Sequence, residues 1–152
     1  MTTPIEIRLL GPDDAGVLDR VDPDVFDDPI DRARAAEFLA DPRHHIAVAV
    51  DAGVVVGFVS AVHYVHPDKA RPELWINEVG VAETHRRRGL ATRLLRAVFE
   101  VARGLGCDEA WVVTDRENTA AMRLYAGAGR TTPPTDHVMF TFRLDADAEP
   151  AE

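Results

Sequence analysis

The chain has 152 residues, 46% of them hydrophobic and 28% charged, so it is long enough for one compact domain and too apolar to be disordered throughout. Its net charge of −9 argues against nucleic acid as the main partner, because phosphate backbones bind net-positive surfaces. Without a membrane-spanning apolar stretch, a signal peptide or a second cysteine beside Cys107, the sequence predicts a cytoplasmic protein with no membrane partner.

The N-terminal part of the chain predicts one strand and two helices. Residues 5–9 alternate apolar and polar side chains, as a half-buried strand does, and the turn that follows places Asp13 where it can cap a short helix ending at Leu18. A second helix is predicted over residues 32–40, because Asp31 can cap its start and a proline follows its end.

The middle of the chain predicts strands. Residues 45–50 and 54–63 are joined by a turn at 51–53 and read as a Val-rich hairpin, whose continuous apolar stretches indicate burial on both faces. After a polar loop, residues 74–82 are predicted to form another strand.

The C-terminal part alternates helices and strands. Apolar residues recur with a helical period over residues 90–105, and glycines end this helix. A short strand is predicted at 110–114, a helix at 118–126 with Asn118 at its cap, and a final strand at 138–144.

This order of elements predicts a mixed α/β sheet with both hairpins and crossovers, and it excludes a simple doubly wound arrangement. We expect a single domain over residues 1–144. Residues 145–152 are acidic and hold no large apolar side chain, so they are predicted to be a disordered tail.

Charge is unevenly distributed along the chain. Residues 13–31, here called the acidic segment, hold eight aspartates against Arg20 alone, whereas residues 85–103 hold six arginines against Glu100 alone. The first segment favours a cation and the second an anion. The alternative is that both are ordinary solvated faces.

The most informative stretch is a buried strand, an Arg/Gly turn and the start of a helix. The first turn of a helix has free backbone N–H groups and the positive end of the peptide dipole, so it can hold a phosphate. Gly89 and Ala91 are small enough to let phosphate oxygens approach these amides, and the three arginines 86–88 add positive charge. A pyrophosphate is the natural ligand of such a turn.

Two known phosphate loops do not fit this stretch. A nucleotide P-loop needs a lysine in its glycine-rich motif, and the only lysine of the chain is Lys69. A dinucleotide-binding fold needs G-x-G-x-x-G after its first strand, and neither the glycines nor the mid-chain position match.

The pattern R-x-x-G-x-A over residues 86–91 resembles the acyl-CoA-binding motif of the GNAT family of N-acetyltransferases. The resemblance extends over residues 5–144 and includes two further motifs, Val79-Gly80-Val81 and Asn118-x-x-Ala121-x-x-Leu124-Tyr125-x-x-x-Gly129. More narrowly, the chain is similar to type I aminoglycoside 3-N-acetyltransferases in three stretches, Tyr64 to Pro67, Glu73 to Glu78 and His85 to Thr92.

The resemblance implies an acyl-CoA N-acyltransferase fold, in which a central, mostly antiparallel mixed sheet has a splayed middle strand and flanking helices. It implies that acetyl-CoA is the acyl donor. The implied donor-binding residues are Val79, Gly80, Val81, Arg86, Arg87, Arg88, Gly89, Leu90, Ala91, Thr92 and Asn118. In this scheme Val79 and Val81 pair their main chain with the pantetheine arm. The Val81 N–H is the candidate to polarise the thioester carbonyl.

Two side chains are implied in catalysis. Tyr125 lies where the family places the residue that returns a proton to the thiolate, although it could equally be a packed aromatic. Glu78 corresponds to an acidic residue of the type I enzymes and is the candidate general base. Its alternatives are a salt bridge with a neighbouring arginine or a contact with the substrate cation. Asn118 can cap its helix, contact the donor, or both.

No metal is expected, because loop histidines such as His63, His66 and His85 without a fuller ligand set are usually surface groups. His85 is expected to fix the turn before Arg86. Arg130 departs from the family pattern, in which an aromatic is common. Family members are often dimers, so a homodimer is one expectation.

The acidic segment falls where the fold places the acceptor cleft, so it would attract a cationic amine. We therefore expect acetyl transfer to a primary amine on a cationic small molecule such as an aminoglycoside or a polyamine. The alternatives are a peptide N-acetyltransferase, a non-catalytic acyl-CoA-binding sensor and an RNA-binding Arg patch, and the net charge disfavours the last.

Overall fold

The computed structural model describes residues 3–129 and 131–145, and its frame is a five-stranded sheet with strand order β1-β2-β3-β4-β5. The first three pairs are antiparallel and the last is parallel. The strands are β1 (Glu6–Leu9), β2 (His44–Asp51), β3 (Val54–Tyr64), β4 (Glu73–Val81) and β5 (Ala110–Trp111). The α-helices are α1 (Arg32–Ala40), α2 (Leu90–Gly104) and α3 (Thr119–Gly127), with 3-10 helices at Pro12–Asp19 and Glu83–His85.

The helix ends show how local signals set the elements. The Asp31 carboxylate accepts from the Arg34 N–H at 3.1 Å, and the Asn118 side chain accepts from the Ala121 N–H at 3.0 Å, so both predicted caps are confirmed. The predicted cap at Asp13 is wrong. Gly11 holds the cap position instead, and its N–H donates to the Asp14 carboxylate at 2.7 Å.

Different elements pack on the two faces of the sheet. A Cβ built on Gly57 would lie 3.4 Å from Leu94, so this residue faces α2. Because successive strand residues point to opposite faces, Phe58 points the other way, and its ring stacks on Phe26 of the acidic segment at 4.0 Å. We call these the α2 face and the acidic face. The core strands β2 and β3 are buried on both, as predicted.

A β-bulge bends β4 and separates it from β5. Ser60 pairs with Glu78 and Ala61 with Ile76, so Asn77 is an extra residue with no partner on β3. β5 pairs only as far as Trp75, two residues before Asn77. A bulge bends its strand, and β4 continues to Val81 with no paired strand on that side among the described residues. This is the splay that the family resemblance implies.

The predicted strand at 138–144 is wrong. Residues 131–145 form neither helix nor strand and are exposed throughout, including Val138, Phe140 and Phe142. The alternation gives these residues strand propensity, but a strand also needs a partner edge. β5, predicted over 110–114, is paired only at Ala110 and Trp111. Of the predicted tail, only Asp145 lies within the described residues.

Among the helices that the structure describes, none is both long and apolar enough to cross a membrane.

Candidate functional site

The unpaired edge of β4 presents main-chain groups to an open cleft. The Ala82 N–H donates to the Val56 carbonyl at 2.8 Å and so points toward β3. Main-chain direction alternates along a strand, so the N–H groups of Val79 and Val81 point away from β3, into the splay. The Val81 carbonyl accepts from the Arg86 side chain at 3.1 Å. These N–H groups can therefore bind an extended ligand arm as an added strand would.

The turn from Glu83 to Gly89, here called the donor turn, ends in amides that fit an anion. Arg87 and Gly89 have left-handed φ values of 64° and 74°, which shape the entry to α2. The first intrahelical bond runs from the Arg93 N–H to the Gly89 carbonyl at 3.1 Å, so the N–H groups of residues 90–92 have no intrahelical acceptor. A Cβ built on Gly89 would meet no heavy atom within 4 Å, which leaves room for a diphosphate.

The three arginines of the donor turn have different surroundings. Arg86 donates to the Val81 carbonyl at 3.1 Å and lies 3.8 Å from the Asp24 carboxylate. Arg88 donates to the Thr84 carbonyl at 3.4 Å. Arg87 is exposed and precedes the free amides by a few residues. Its side chain is therefore available to add charge at an anion.

Two contacts fix the donor turn to the rest of the fold. The His85 ring lies 2.7 Å from the Asp51 carboxylate at the end of β2, which agrees with the expected role of His85. The Glu83 N–H donates to the Asp24 carboxylate at 2.6 Å. Because Asp24 belongs to the acidic segment, the regions expected to bind the donor and the acceptor are joined directly.

Glu78 lies on the acidic face. Every second residue of a strand points to the same face, so Phe58, Ser60 and Val62 of β3 all lie on the acidic face. Paired residues of neighbouring strands share a face. Their partners on β4 are Gly80, Glu78 and Trp75, which therefore also lie on the acidic face. Glu78 is exposed there. Within residues 3–129 and 131–145 the salt bridges involve other carboxylates, and none pairs Glu78 with an arginine.

The acidic segment packs against β4 beside Glu78. A Cβ built on Gly80 would lie 2.5 Å from the Val25 carbonyl and 2.8 Å from the Phe58 ring, so only glycine allows this approach. The segment also encloses a cavity of about 690 Å³. Arg32 is the one basic residue of its lining and pairs with Asp19 at 3.0 Å. The acidic residues of the lining are Asp19, Asp22, Asp27 and Asp28.

Tyr125 lines a second cavity, of about 310 Å³, at the point where β4 and β5 part. Ile76 and Val112 are the first residues beyond the last pair of these strands, and both line it. Burial raises the pKa of the Tyr125 phenol, so the group keeps its proton at neutral pH. Tyr125 also packs against the core. Packing and proton donation are compatible, because the ring and the hydroxyl do different work.

The predicted histidines do not converge. His63 lies 2.7 Å from His45, His66 lies 3.0 Å from Glu73, and His85 contacts Asp51. In the part of the chain that the structure describes, no group of three or more His, Cys, Asp or Glu side chains could hold a metal ion.

Three features of the site had no separate sequence signal. The bulge at Asn77 depends on the pairing of two strands distant in sequence. Asp24 was one of eight aspartates in the acidic segment, and nothing local distinguished it. Trp75 and Trp111 come together only through the parallel β4–β5 pair.

Comparison with known proteins places this geometry among acetyltransferases. A profile of the acetyltransferase (GNAT) family matches residues 16–129. The chain is 34% identical over 114 residues to an aminoglycoside N(6')-acetyltransferase type 1 from Serratia marcescens, a match that covers 72% of this chain and 76% of that protein. It is 33% identical over 132 residues to the N-alpha-acetyltransferase RimI of Mycobacterium tuberculosis, with 84% and 79% covered.

A solved structure has the same fold. The aminoglycoside N-acetyltransferase AAC(6')-Iy in complex with CoA superimposes with a TM-score of 0.71 at 25% identity, covering 94% of this chain and 97% of that one. The predicted acyl-CoA N-acyltransferase fold is therefore confirmed. The aminoglycoside enzymes named here are 6′-acetyltransferases, so similarity to the 3-N type remains a prediction. Several rat family 8 N-acetyltransferases are longer, and the chain spans 36% to 41% of their length.

Proposed function

Since the chain belongs to the acetyltransferase (GNAT) family, we propose that it transfers an acetyl group from acetyl-CoA directly to a primary amine of a cationic small molecule within a ternary complex. The observation that carries this proposal is the meeting of two surfaces at β4. The free edge of the strand holds donor-facing amides, and its acidic face holds Glu78 beside the acidic segment.

The donor side is built from main chain. The N–H groups of residues 90–92 would hold the diphosphate, and the exposed Arg87 nearby in the chain would add positive charge. The main chain of Val79 and Val81 would align the pantetheine arm. Acetyl-CoA supplies an activated thioester carbonyl when bound. The Val81 N–H points into the splay and can stabilise negative charge that develops on an oxygen there.

Glu78 would remove the proton from the substrate ammonium. An exposed carboxylate at the edge of the splay can take this proton directly or through a water, and such a group typically contributes about 10²- to 10⁴-fold to the rate. The same negative charge attracts the ammonium before it is deprotonated. The two roles follow one another at a single position.

Tyr125 would donate a proton to the departing thiolate. Tyr125 lines the cavity where β4 and β5 part, together with Phe99 of α2, whereas Glu78 lies on the acidic face. Because burial raises its pKa, the phenol remains protonated and able to donate at the pH where amines are acetylated.

The cavity of the acidic segment explains a preference for cations. Four aspartates and a single, already paired arginine line it, so negative charge predominates there. An amine with several positive charges would gain most from this field.

The test is a panel of amines with the full chain, acetyl-CoA and a thiol reagent that detects released CoA. We expect amine-dependent release with aminoglycosides or polyamines, and a loss of about 10²-fold or more in Glu78→Gln. Glu100→Gln, which changes an exposed carboxylate on α2, is the matched control and should keep full activity. Silence with every amine would overturn the proposal.

A peptide acceptor is the second candidate, and the similarity to RimI favours it. A peptide N-terminus carries one ammonium, whereas the acidic cavity can accommodate several charges. Including N-terminal peptides in the panel separates the two. A non-catalytic sensor predicts a third result, namely CoA binding by calorimetry that persists while Glu78→Gln and Tyr125→Phe change nothing measurable.

A further inference from the structure

Trp75 and Trp111, the two tryptophans of the chain, form one stacked pair. Their ring centroids lie 5.6 Å apart with an angle of 16° between the planes. They are opposite each other in the last β4–β5 pair before the splay. Trp111 is 37% exposed, so an aromatic surface is open to solvent at the edge of the cleft.

A chain of hydrogen bonds fixes the outer ring. The Trp111 indole N–H donates to the Tyr64 hydroxyl at 2.6 Å, and this hydroxyl donates to the Glu73 carboxylate at 2.8 Å. The His66 ring lies 3.0 Å from the same carboxylate. The indole N–H is thus satisfied within the protein and the ring is held before any ligand arrives, which lowers the entropy cost of binding against it.

The pair lies on the acidic face together with Glu78. Trp75 and Glu78 pair with Val62 and Ser60, two residues that point to the same side of β3. Two residues, one of them the bulged Asn77, lie between Trp75 and Glu78. Because the β3 partners of Trp75 and Glu78 are only two positions apart, the spacing along the sheet is about 7 Å. The acidic segment reaches the other side of Glu78 at Gly80. Glu78 therefore lies between the acidic segment and an aromatic surface.

We propose that the Trp75–Trp111 pair is the second half of the acceptor site and stacks against a ring of a cationic amino sugar whose neighbouring amine reaches Glu78. The inference rests on the proposed function. An aromatic face attracts the apolar face of a sugar ring by contact, and attracts amines on that ring through its quadrupole. A linear polyamine has charges but no ring face, so the pair selects ring-bearing amines.

The tryptophans themselves provide the readout. Because the chain has no others, its tryptophan fluorescence reports on this pair alone. We expect titration of the CoA-bound protein with sisomicin or neamine to give a saturable shift of emission to shorter wavelength, as the ring leaves water. Spermine at the same ionic strength should give none.

Kinetic variants provide an independent readout. Trp111→Ala should raise the KM for the aminoglycoside about tenfold, with kcat and the KM for acetyl-CoA nearly unchanged, and Trp111→Phe should restore most of the affinity. The KM for spermine should not change. Leu105→Ala, a similarly exposed apolar residue at the end of α2, is the matched control. Melting curves show whether each variant is folded. The fluorescence titration uses the unaltered protein and so does not depend on the variants.

The outcomes separate this inference from the proposed function. If amino sugars are acetylated while emission stays constant and Trp111→Ala keeps its KM, the aromatic surface is overturned and acetyl transfer stands. If emission shifts saturably with an amino sugar while no amine of the panel is acetylated, the surface is supported and acetyl transfer is overturned. If neither sisomicin nor neamine shifts the emission, the proposed aromatic surface is ruled out.

Discussion

The carboxylate of Asp24 accepts a hydrogen bond from the main-chain N–H of Glu83 at 2.6 Å. The same carboxylate lies 3.8 Å from the Arg86 guanidinium, which in turn bonds the Val81 carbonyl. One side chain of the acidic segment therefore holds both the start of the donor turn and the end of the free β4 edge. The two substrates would share this connection.

Asp24→Ala should weaken CoA binding about fivefold, because the lost hydrogen bond is half-exposed and worth about 1 kcal/mol. Asp24→Asn keeps an oxygen for the Glu83 N–H and should lose less. Calorimetric titration with CoA measures both. Asp13→Ala, an exposed aspartate of the same segment, should bind CoA normally. Equal affinity in all three variants would show that the connection has no effect on the donor turn.

Gly89 allows a comparison of backbone strain with blocked binding. Its φ of 74° costs any other residue about 1 kcal/mol, so Gly89→Ala and Gly89→Glu should lose similar stability in thermal melts. Only the glutamate adds a negative charge beside the free amides, and it should bind CoA at least about tenfold more weakly than the alanine variant. Unchanged CoA affinity in a folded Gly89→Glu protein would show that the donor turn is not part of the CoA-binding site.

Tyr125→Phe should lower kcat by about 10- to 100-fold with CoA affinity unchanged, because it removes a proton and keeps the packed ring. The pH dependence has a definite sign. Burial raises the pKa of the phenol, so ionisation of Tyr125 should reduce kcat only at a pH above its ordinary value of 10.0. A pH–rate profile measures this. A fall in kcat near pH 8 that disappears in Tyr125→Phe would contradict the assignment.

Gly80→Ala should destabilise the fold by about 1–3 kcal/mol, since the added Cβ would lie 2.5 Å from the Val25 carbonyl and force the acidic segment off the sheet. Gly104→Ala is the matched control, because no heavy atom lies within 4 Å of a Cβ at that helix end. Urea denaturation compares the two free energies of unfolding. If Gly80→Ala is as stable as the control, the close approach is not needed.

Local signals in the sequence predicted the helices and the donor turn well. The helix α1 begins after its Asp31 cap at the predicted residue, and α2 follows its apolar stripe from Leu90 almost to the predicted end. Capping and helical period act within a few residues, so they are readable without the fold. The open amides of the donor turn follow from the same local pattern.

Features that depend on distant partners were not predictable in this way. The pattern of residues 138–144 favours a strand, but whether a strand forms depends on an edge elsewhere in the molecule. The contacts of Arg86 with the Val81 carbonyl and with Asp24 had no separate sequence signal, and its role at an anion stays a prediction. The choice between Glu78 as an ion-pair partner and Glu78 as a free carboxylate likewise needed the register of β3 and β4.

The bend of β4 depends on one residue, the bulged Asn77. Removing Asn77 would leave Glu78 opposite Ser60 and Ile76 opposite Ala61, so every remaining side chain of the strand would keep its partner and its side of the sheet. What would vanish is the bend, and β5 could then continue alongside β4 beyond Trp75. In a protein shortened in this way, β4 and β5 should pair regularly, without the gap between them. The cleft therefore depends on a single inserted amino acid.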